Sequence, residues 1–203
     1  MAGNNIAPLK GLVLCGGQST RMQENKSRIN YHGMPQWQYL ADLLISFGLE
    51  TYLSCRTDQQ TDFEHYSRLI PDSVPYGGPS AGLLSAHQLQ PDTAWLVLAC
   101  DLPLISRQSL DILVRERATQ QAATAFISPV NDLPEPLIAI WEPAGLRALL
   151  QNVASGKNCP RKTLLNTDIR VLHNPYAAEQ YNANTPEEKA TAMKQVTDQS
   201  LRP

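Results

Sequence analysis

Two glycines, an arginine and a lysine stand in the order G-G-Q-S-T-R-M-Q-E-N-K, residues 16–26, directly after the apolar run 11–15. Glycine admits backbone conformations closed to other residues and lets peptide N–H groups approach a ligand with no Cβ between them. Several such N–H groups can ring a phosphate, and Arg21 and Lys26 supply the full positive charges of the loop. A tight strand-to-helix turn needs the same glycines, so the pair alone does not choose between turn and anion cradle. The loop is not a Walker loop, because Asn25 precedes Lys26 where that pattern needs glycine. Nor is there a G-x-G-x-x-G dinucleotide fingerprint. Further along, Asp101 follows the apolar run 94–100 and Asp72 ends the shorter run 68–72. A carboxylate outside the carboxyl end of a strand suits Mg²⁺, a hard ion that takes oxygen ligands and keeps several waters. The same aspartates can equally tighten the turns before Leu102-Pro103 and before Ser73.

Such groups converge only if short strands alternate with helices, and the sequence reads that way. Residues 11–15, 51–55, 68–72, 94–100, 122–128, 136–141 and 169–174 read as strands. The run 94–100 is nearly all apolar and is expected at the centre of the sheet. Helices are expected over 35–48, within 76–89, around 106–120, over 143–155 and over 185–196. In the first, Trp37, Leu40, Ala41, Leu44 and Phe47 share one face. In the last, Thr185, Pro186 and Glu188 form a capping box with proline in the first turn. No linker divides the chain, and its 203 residues suit one α/β domain.

A net charge of -2 argues against broad nucleic-acid or membrane-surface binding, so any anion site must be a local concentration of positive groups. No apolar run approaches the roughly 20 residues of a membrane span. The four cysteines, Cys15, Cys55, Cys100 and Cys159, show no C-x-x-C spacing and read as reduced thiols of a cytoplasmic protein. His32, His65, His87 and His173 show no pairing pattern and read as surface or packing residues.

The spacing G-G-x-S-x-R-M-x-x-x-K resembles the signature loop of the molybdenum cofactor guanylyltransferase (MobA-like) family of nucleotidyltransferases, usually L-A-G-G-x-S-x-R-M-G-x-D-K. "LIPDSVPYGGPSAGLLSA" (69–86) is similar to that family's I-x-D followed by G-P-L-x-G, "WLVLACDLPLI" (95–105) to its strand ending in C-D-x-P, and "NANTPEE" (182–188) to its closing N-x-N-T-P-E-E. The "GMPQWQYLADLL" segment (33–44) fits its G-K-P-[LM] helix start. The resemblance runs from about 10 to 195. It implies a three-layer α/β sandwich with a mostly parallel sheet, Rossmann-like and of the nucleotide-diphospho-sugar transferase type. It further implies transfer of GMP from GTP to a molybdenum-molybdopterin acceptor, with Mg²⁺ as cofactor and transient contact with molybdoenzymes or cofactor-biosynthesis proteins. Arg21, Lys26 and Asp101 would then be catalytic. Leu14, Cys15, Gly16, Gly17, Lys26, Cys55, Asp72, Gly82 and Asp101 would meet the nucleotide, and Asp101 with Asn184 the metal. Asn184 can also serve only the helix start it precedes.

Several positions depart from the family pattern. Gln23 replaces a glycine, Asn25 an aspartate and Ser27 a common glycine. Cys55 stands where typical guanylyltransferases place a base-contacting asparagine, and a thiol is a far poorer hydrogen-bond partner. CTP in place of GTP, a different phosphate acceptor, or a nucleotide-binding relative without turnover therefore remain alternatives. "NCPRKTLL" (158–165) fits no family motif; Arg161 and Lys162 could meet an acceptor phosphate or simply start a solvated helix. The turn of "LPEPLIAIW" (133–141) is expected on the acceptor side.

Overall fold

The computed structural model describes residues 6–17, 22 and 24–200. At its centre runs β4 (Ala94–Ala99), whose six side chains are all apolar and buried, so it must be covered on both faces. It is flanked by β1 (Leu9–Leu14) and β6 (Pro134–Trp141). Beyond β1 lie β2 (Thr51–Cys55) and β3 (Leu69–Pro71); beyond β6 lie β5 (Ala123–Ile127) and β7 (Ile169–Leu172). The order is β3-β2-β1-β4-β6-β5-β7. Every pairing is parallel except those of β6, which runs antiparallel to β4 and β5. The sheet is mostly parallel, as the sequence predicts.

Alternate residues of each strand point to opposite faces, and two apolar layers result. On one face α1 (Gln36–Ile45) and α3 (Arg107–Arg115) bring Leu40, Leu44, Leu110 and Leu113 against Val13, Leu53, Leu96 and Leu98. On the other, α2 (Pro79–Leu89), α4 (Pro143–Ala154) and α5 (Pro160–Leu165) bring Leu83, Leu84, Leu146, Leu149 and Leu164 against Leu12, Trp95 and Val97. These are the three layers expected. A third, smaller apolar group joins α6 (Pro186–Ser200) to the segment after β1 and the turn after β4: Ala192 and Val196 pack with Met22, Ile29 and Leu104. Among the described residues, no helix is long and apolar enough to cross a membrane.

One helix is shorter than its pattern suggests. Residues 106–120 read as helical, yet α3 ends at Arg115. Two residues later the Arg117 guanidinium is committed elsewhere. It donates to both carboxylate oxygens of Glu142, at 2.6 and 3.0 Å, and to the Ala7 carbonyl at 2.7 Å. The two side chains are only 12% and 3% exposed, so the ion pair is largely closed off from solvent.

The winding order creates the place for a ligand. From β1 the chain adds β2 and β3 on one side, then returns to β4 on the other. Parallel sheets open a crevice at the carboxyl ends of the strands on either side of such a reversal.

Candidate active site

A cavity of about 650 Å³ opens at that crevice. The end of β1 contributes Leu14, Cys15, Gly16 and Gly17, and the end of β4 contributes Asp101. Asp72 enters from behind β3, Gly82 from α2 and Lys26 from the segment after β1. Eight residues singled out in the sequence thus surround one space. Arg21 and Gln23 lie outside the described residues.

Backbone hydrogen bonds set the strand ends side by side. Cys15 N donates to Ser54 O at 2.8 Å, Cys100 N to Leu14 O at 3.3 Å, and Asp72 N to Cys55 O at 2.9 Å. Gly16 does not use the left-handed backbone region. A Cβ there would stand 3.4 Å from the Arg56 nitrogen, an ordinary contact. Gly82 is the stricter case, since a Cβ would fall 2.4 Å from Ser54 Oγ and 2.7 Å from Leu14 Cδ2. Its missing side chain lets α2 close onto β1 and β2. Before α2, Gly78 takes φ 67° and ψ -157°, a conformation open essentially to glycine alone, and Pro79 opens the helix.

Lys26 begins a short 3-10 turn, Lys26–Arg28, that Asn25 caps. Asn25 Oδ1 accepts from Ser27 N at 3.1 Å and from Ser27 Oγ at 2.8 Å. An aspartate would offer the same oxygen, so asparagine at this position keeps the cap that orients Lys26. Lys26 Nζ lies 4.0 Å from Asp101 Oδ2 and donates to Asn184 Oδ1. Asn184 is delivered by the tail of the chain. Ala183 N donates to Asp101 O at 2.9 Å. Glu188 Oε2 then accepts from Asn184 N at 2.6 Å and Thr185 N at 3.0 Å, while Thr185 Oγ1 accepts from Glu188 N at 3.2 Å. This reciprocal capping box fixes Asn184 beside Asp101, 83 positions away in the chain.

Burial raises the Asp101 carboxyl above its ordinary range, the Lys26 ammonium pulls it back in part, and Glu135 and Glu188 push it up further. Burial likewise raises Asp72, against the pull of Arg56. A cation is therefore favoured beside Asp101, and the Lys26 ammonium already bridges the carboxylate and the Asn184 amide oxygen. No group of three His, Cys, Asp or Glu side chains that could hold a metal occurs among the described residues. One carboxylate and one amide oxygen fit a hard ion that completes its shell with water and substrate phosphate, as Mg²⁺ does.

Cys55 is placed differently from the sequence expectation. In β2, Tyr52 and Ser54 face α2, whereas Leu53 and Cys55 face α1. The Cys55 side chain is fully buried and does not line the cavity, and burial is the main cause that pushes its thiol up to about 11. The strand's alternation puts Ser54 on the cavity side instead, with Arg56 beyond the strand end. Reading β2 with its period of two could have found Ser54. Arg56 could not be read that way. Its Nη1 donates to Gly17 O at 3.1 Å, while Nε and Nη2 hold Asp58 at 2.9 and 2.8 Å. This clasp fixes the glycine turn from the side. Tyr76, Gly77 and Gly78 also line the cavity and were not singled out.

A second cavity of about 620 Å³ is lined by Glu135, Arg161, Asn182, Asn184 and Glu188 among others. Arg161 Nη2 donates to Glu135 Oε2 at 2.9 Å and Nε to Pro134 O at 3.2 Å. The stretch 158–165 thus contributes α5 and one cavity-lining cation; Lys162 does not line this space. Asn184 lines the second cavity and bonds Lys26, which lines the first.

Comparison with known proteins points the same way. The family model described as "MobA-like NTP transferase domain" matches residues 11–172. A "Molybdenum cofactor biosynthesis bifunctional protein" of Synechocystis sp. is 34% identical over 183 residues, 89% of this chain; the match spans only 52% of that relative's length. A "Probable molybdenum cofactor guanylyltransferase" of Trichormus variabilis is 27% identical over 96% of this chain and 95% of its own. Among solved structures, molybdopterin-guanine dinucleotide biosynthesis protein A from Archaeoglobus fulgidus superposes with a TM-score of 0.76 at 20% identity, covering 93% of this chain and 99% of its own. That likeness establishes the fold.

Proposed function

The chain belongs to the MobA-like NTP transferase family, and from that premise we propose that this nucleotidyltransferase moves GMP from GTP to a molybdenum-molybdopterin acceptor, releasing pyrophosphate. The observation that carries the reading is the meeting of the glycine turn, the Lys26 ammonium and the Asp101 carboxylate at one cavity. Guanine as the base and molybdopterin as the acceptor rest on what the relatives are described as doing.

An oxygen of the acceptor's terminal phosphate attacks the α-phosphorus of GTP. The new P–O bond forms as the bond to the bridging oxygen breaks, and pyrophosphate carries away the electron pair. The nucleophile is already an anion, so no general base is needed. The chief barrier is charge, because unit charges about 4 Å apart repel by roughly 4 kcal/mol at an effective dielectric near 20. Lys26 places its ammonium where that charge gathers, beside the glycine turn that lines the same space. Catalysis is then positioning and electrostatic stabilisation. Mg²⁺, held by Asp101 and Asn184 Oδ1 with water and phosphate oxygens, would neutralise further phosphate charge. The second cavity receives the acceptor, with Arg161 as a cation for its phosphate and Asn184 at the boundary between the two substrates.

Pyrophosphate release from GTP, Mg²⁺ and molybdenum-loaded molybdopterin, with little from CTP, is the expected result. Preference for CTP would replace the base assignment. Nucleotide binding without turnover on any acceptor would instead identify a relative that has lost catalysis.

A further inference from the structure

Cys15 and Cys100 end the neighbouring parallel strands β1 and β4, one step past the paired Leu14 and Ala99. Their sulfurs stand 3.6 Å apart, with Cys100 Sγ donating to Cys15 Sγ. Both thiols are free and nearly buried, 3% and 6% exposed, yet both residues line the first cavity. Each sits directly against a working part of the site: Cys15 precedes Gly16-Gly17, and Cys100 precedes Asp101. Both side chains belong to the α1-side core layer, and burial raises the Cys15 thiol well above its ordinary range, so the oxidant must be a small neutral peroxide that reaches two sulfurs already in contact.

We propose that Cys15 and Cys100 form a reversible disulfide under a hydroperoxide oxidant, and that this bond closes the nucleotide site. In the first step one thiol sulfur attacks a peroxide oxygen. An S–O bond forms, the O–O bond breaks, and with hydrogen peroxide one water leaves. In the second step the other sulfur attacks the sulfenic sulfur. The S–S bond forms, the S–O bond breaks, and the hydroxide leaves as water with the second thiol's proton. Two thiols are oxidised and one peroxide is reduced to two waters.

The geometric consequence follows from bond length. A disulfide holds its sulfurs about 2.05 Å apart, so the present 3.6 Å must shrink by about 1.5 Å. The sulfurs hang on strand ends that already pair through Cys100 N and Leu14 O. Closure therefore draws the glycine turn toward Asp101 and narrows the space in which a triphosphate would lie. Crowding of that space is expected to weaken GTP binding at least about tenfold, about 1.4 kcal/mol. By linkage, GTP must disfavour the crosslink at equilibrium by the same factor as the crosslink weakens GTP. The crosslink itself is independent of the proposed function; the closing of the site rests on the nucleotide reading.

The test uses the full chain carrying Cys159→Ser, which removes the one thiol that is not buried; Cys55 stays, buried in the α1 layer, and peptide mapping separates any crosslink it makes. The protein is treated with hydrogen peroxide, alkylated, digested and mapped by mass spectrometry. GTP binding is measured by calorimetry on the same preparation before treatment, after it, and after dithiothreitol. The expected results are a Cys15–Cys100 crosslinked peptide, less of it when GTP is present, and weakened GTP binding that dithiothreitol restores. A Cys100→Ala variant should bind GTP equally before and after peroxide. Absence of the crosslinked peptide, or a crosslink with unchanged GTP affinity, overturns the proposal. Failure of the reduced protein to bind any GTP overturns the nucleotide reading and the closing of the site with it, while the peptide map alone still decides the crosslink.

Discussion

Replacing Lys26 by methionine keeps the length and apolar stem of the side chain and removes one charge. Its Nζ lies 4.0 Å from Asp101 Oδ2, and the two side chains are 21% and 23% exposed. At that distance a unit charge interacts by about 4 kcal/mol at an effective dielectric near 20. Solvent reaches both groups, so about half of that, roughly 2 kcal/mol, is the sounder figure for one ammonium acting on a charge at this place. Each 1.4 kcal/mol is a factor of about ten, so kcat/KM for GTP should fall by roughly 30-fold. Pyrophosphate release at saturating acceptor, with GTP varied, reads the loss. Arginine should not restore it fully. The ammonium is a compact charge seated on the Asn184 amide oxygen, and a planar guanidinium cannot reproduce that contact. A Lys26→Met enzyme within threefold of wild type would refute the reasoning, because no charge in this position would then be acting on the nucleotide.

Asp101→Asn should reduce turnover at least about a hundredfold without loss of the fold. The sign of the stability change follows from the raised Asp101 carboxyl. A group that holds its proton more tightly when folded stabilises the protein below its unfolded pKa, and that contribution is lost as pH rises through the folded value. Ionised Asp101 therefore opposes folding at neutral pH. Thermal melts should show the variant gaining on wild type from pH 4 to pH 7; a variant that loses ground over this range contradicts the assignment. Gly82→Ala should destabilise the protein by about 1–3 kcal/mol in denaturant titration and weaken nucleotide binding, since its Cβ would press on Ser54 and Leu14; an unchanged midpoint means α2 can lift away freely. Arg117→Ala should cost about 3–5 kcal/mol by leaving Glu142 buried and unpaired, far from the cavity. If its melting temperature drops by only a degree, the pair is not what closes that corner.

Period and punctuation made most elements legible. β4 stood out because a strand covered on both faces must be apolar throughout, and the last helix because Thr185, Pro186 and Glu188 announce its start. The convergence of Gly16, Gly17 and Asp101 was readable because strand ends in a parallel sheet share one edge. Long-range pairings were not readable. Nothing near Arg117 marks Glu142 as its partner, and nothing near Arg56 marks the Gly17 carbonyl. Such contacts depend on which strands become neighbours, and local pattern does not encode that. Cys55 failed for a different reason. Motif alignment assigned it a role that the strand's alternation forbids, since its side chain points into the α1 layer. His32, expected as packing, stacks on Tyr39 at 3.6 Å and bonds the Pro103 carbonyl at 2.8 Å, steadying the turn after Asp101.

The most direct measurement is calorimetric titration of GTP into the wild-type chain and into Asp101→Asn, each with and without Mg²⁺. If the triphosphate gathers at Lys26 beside an ion held by Asp101, the wild-type chain binds GTP more tightly with Mg²⁺, and the variant loses that increment while still binding nucleotide. Equal binding of GTP by both proteins whether or not Mg²⁺ is present would contradict the account.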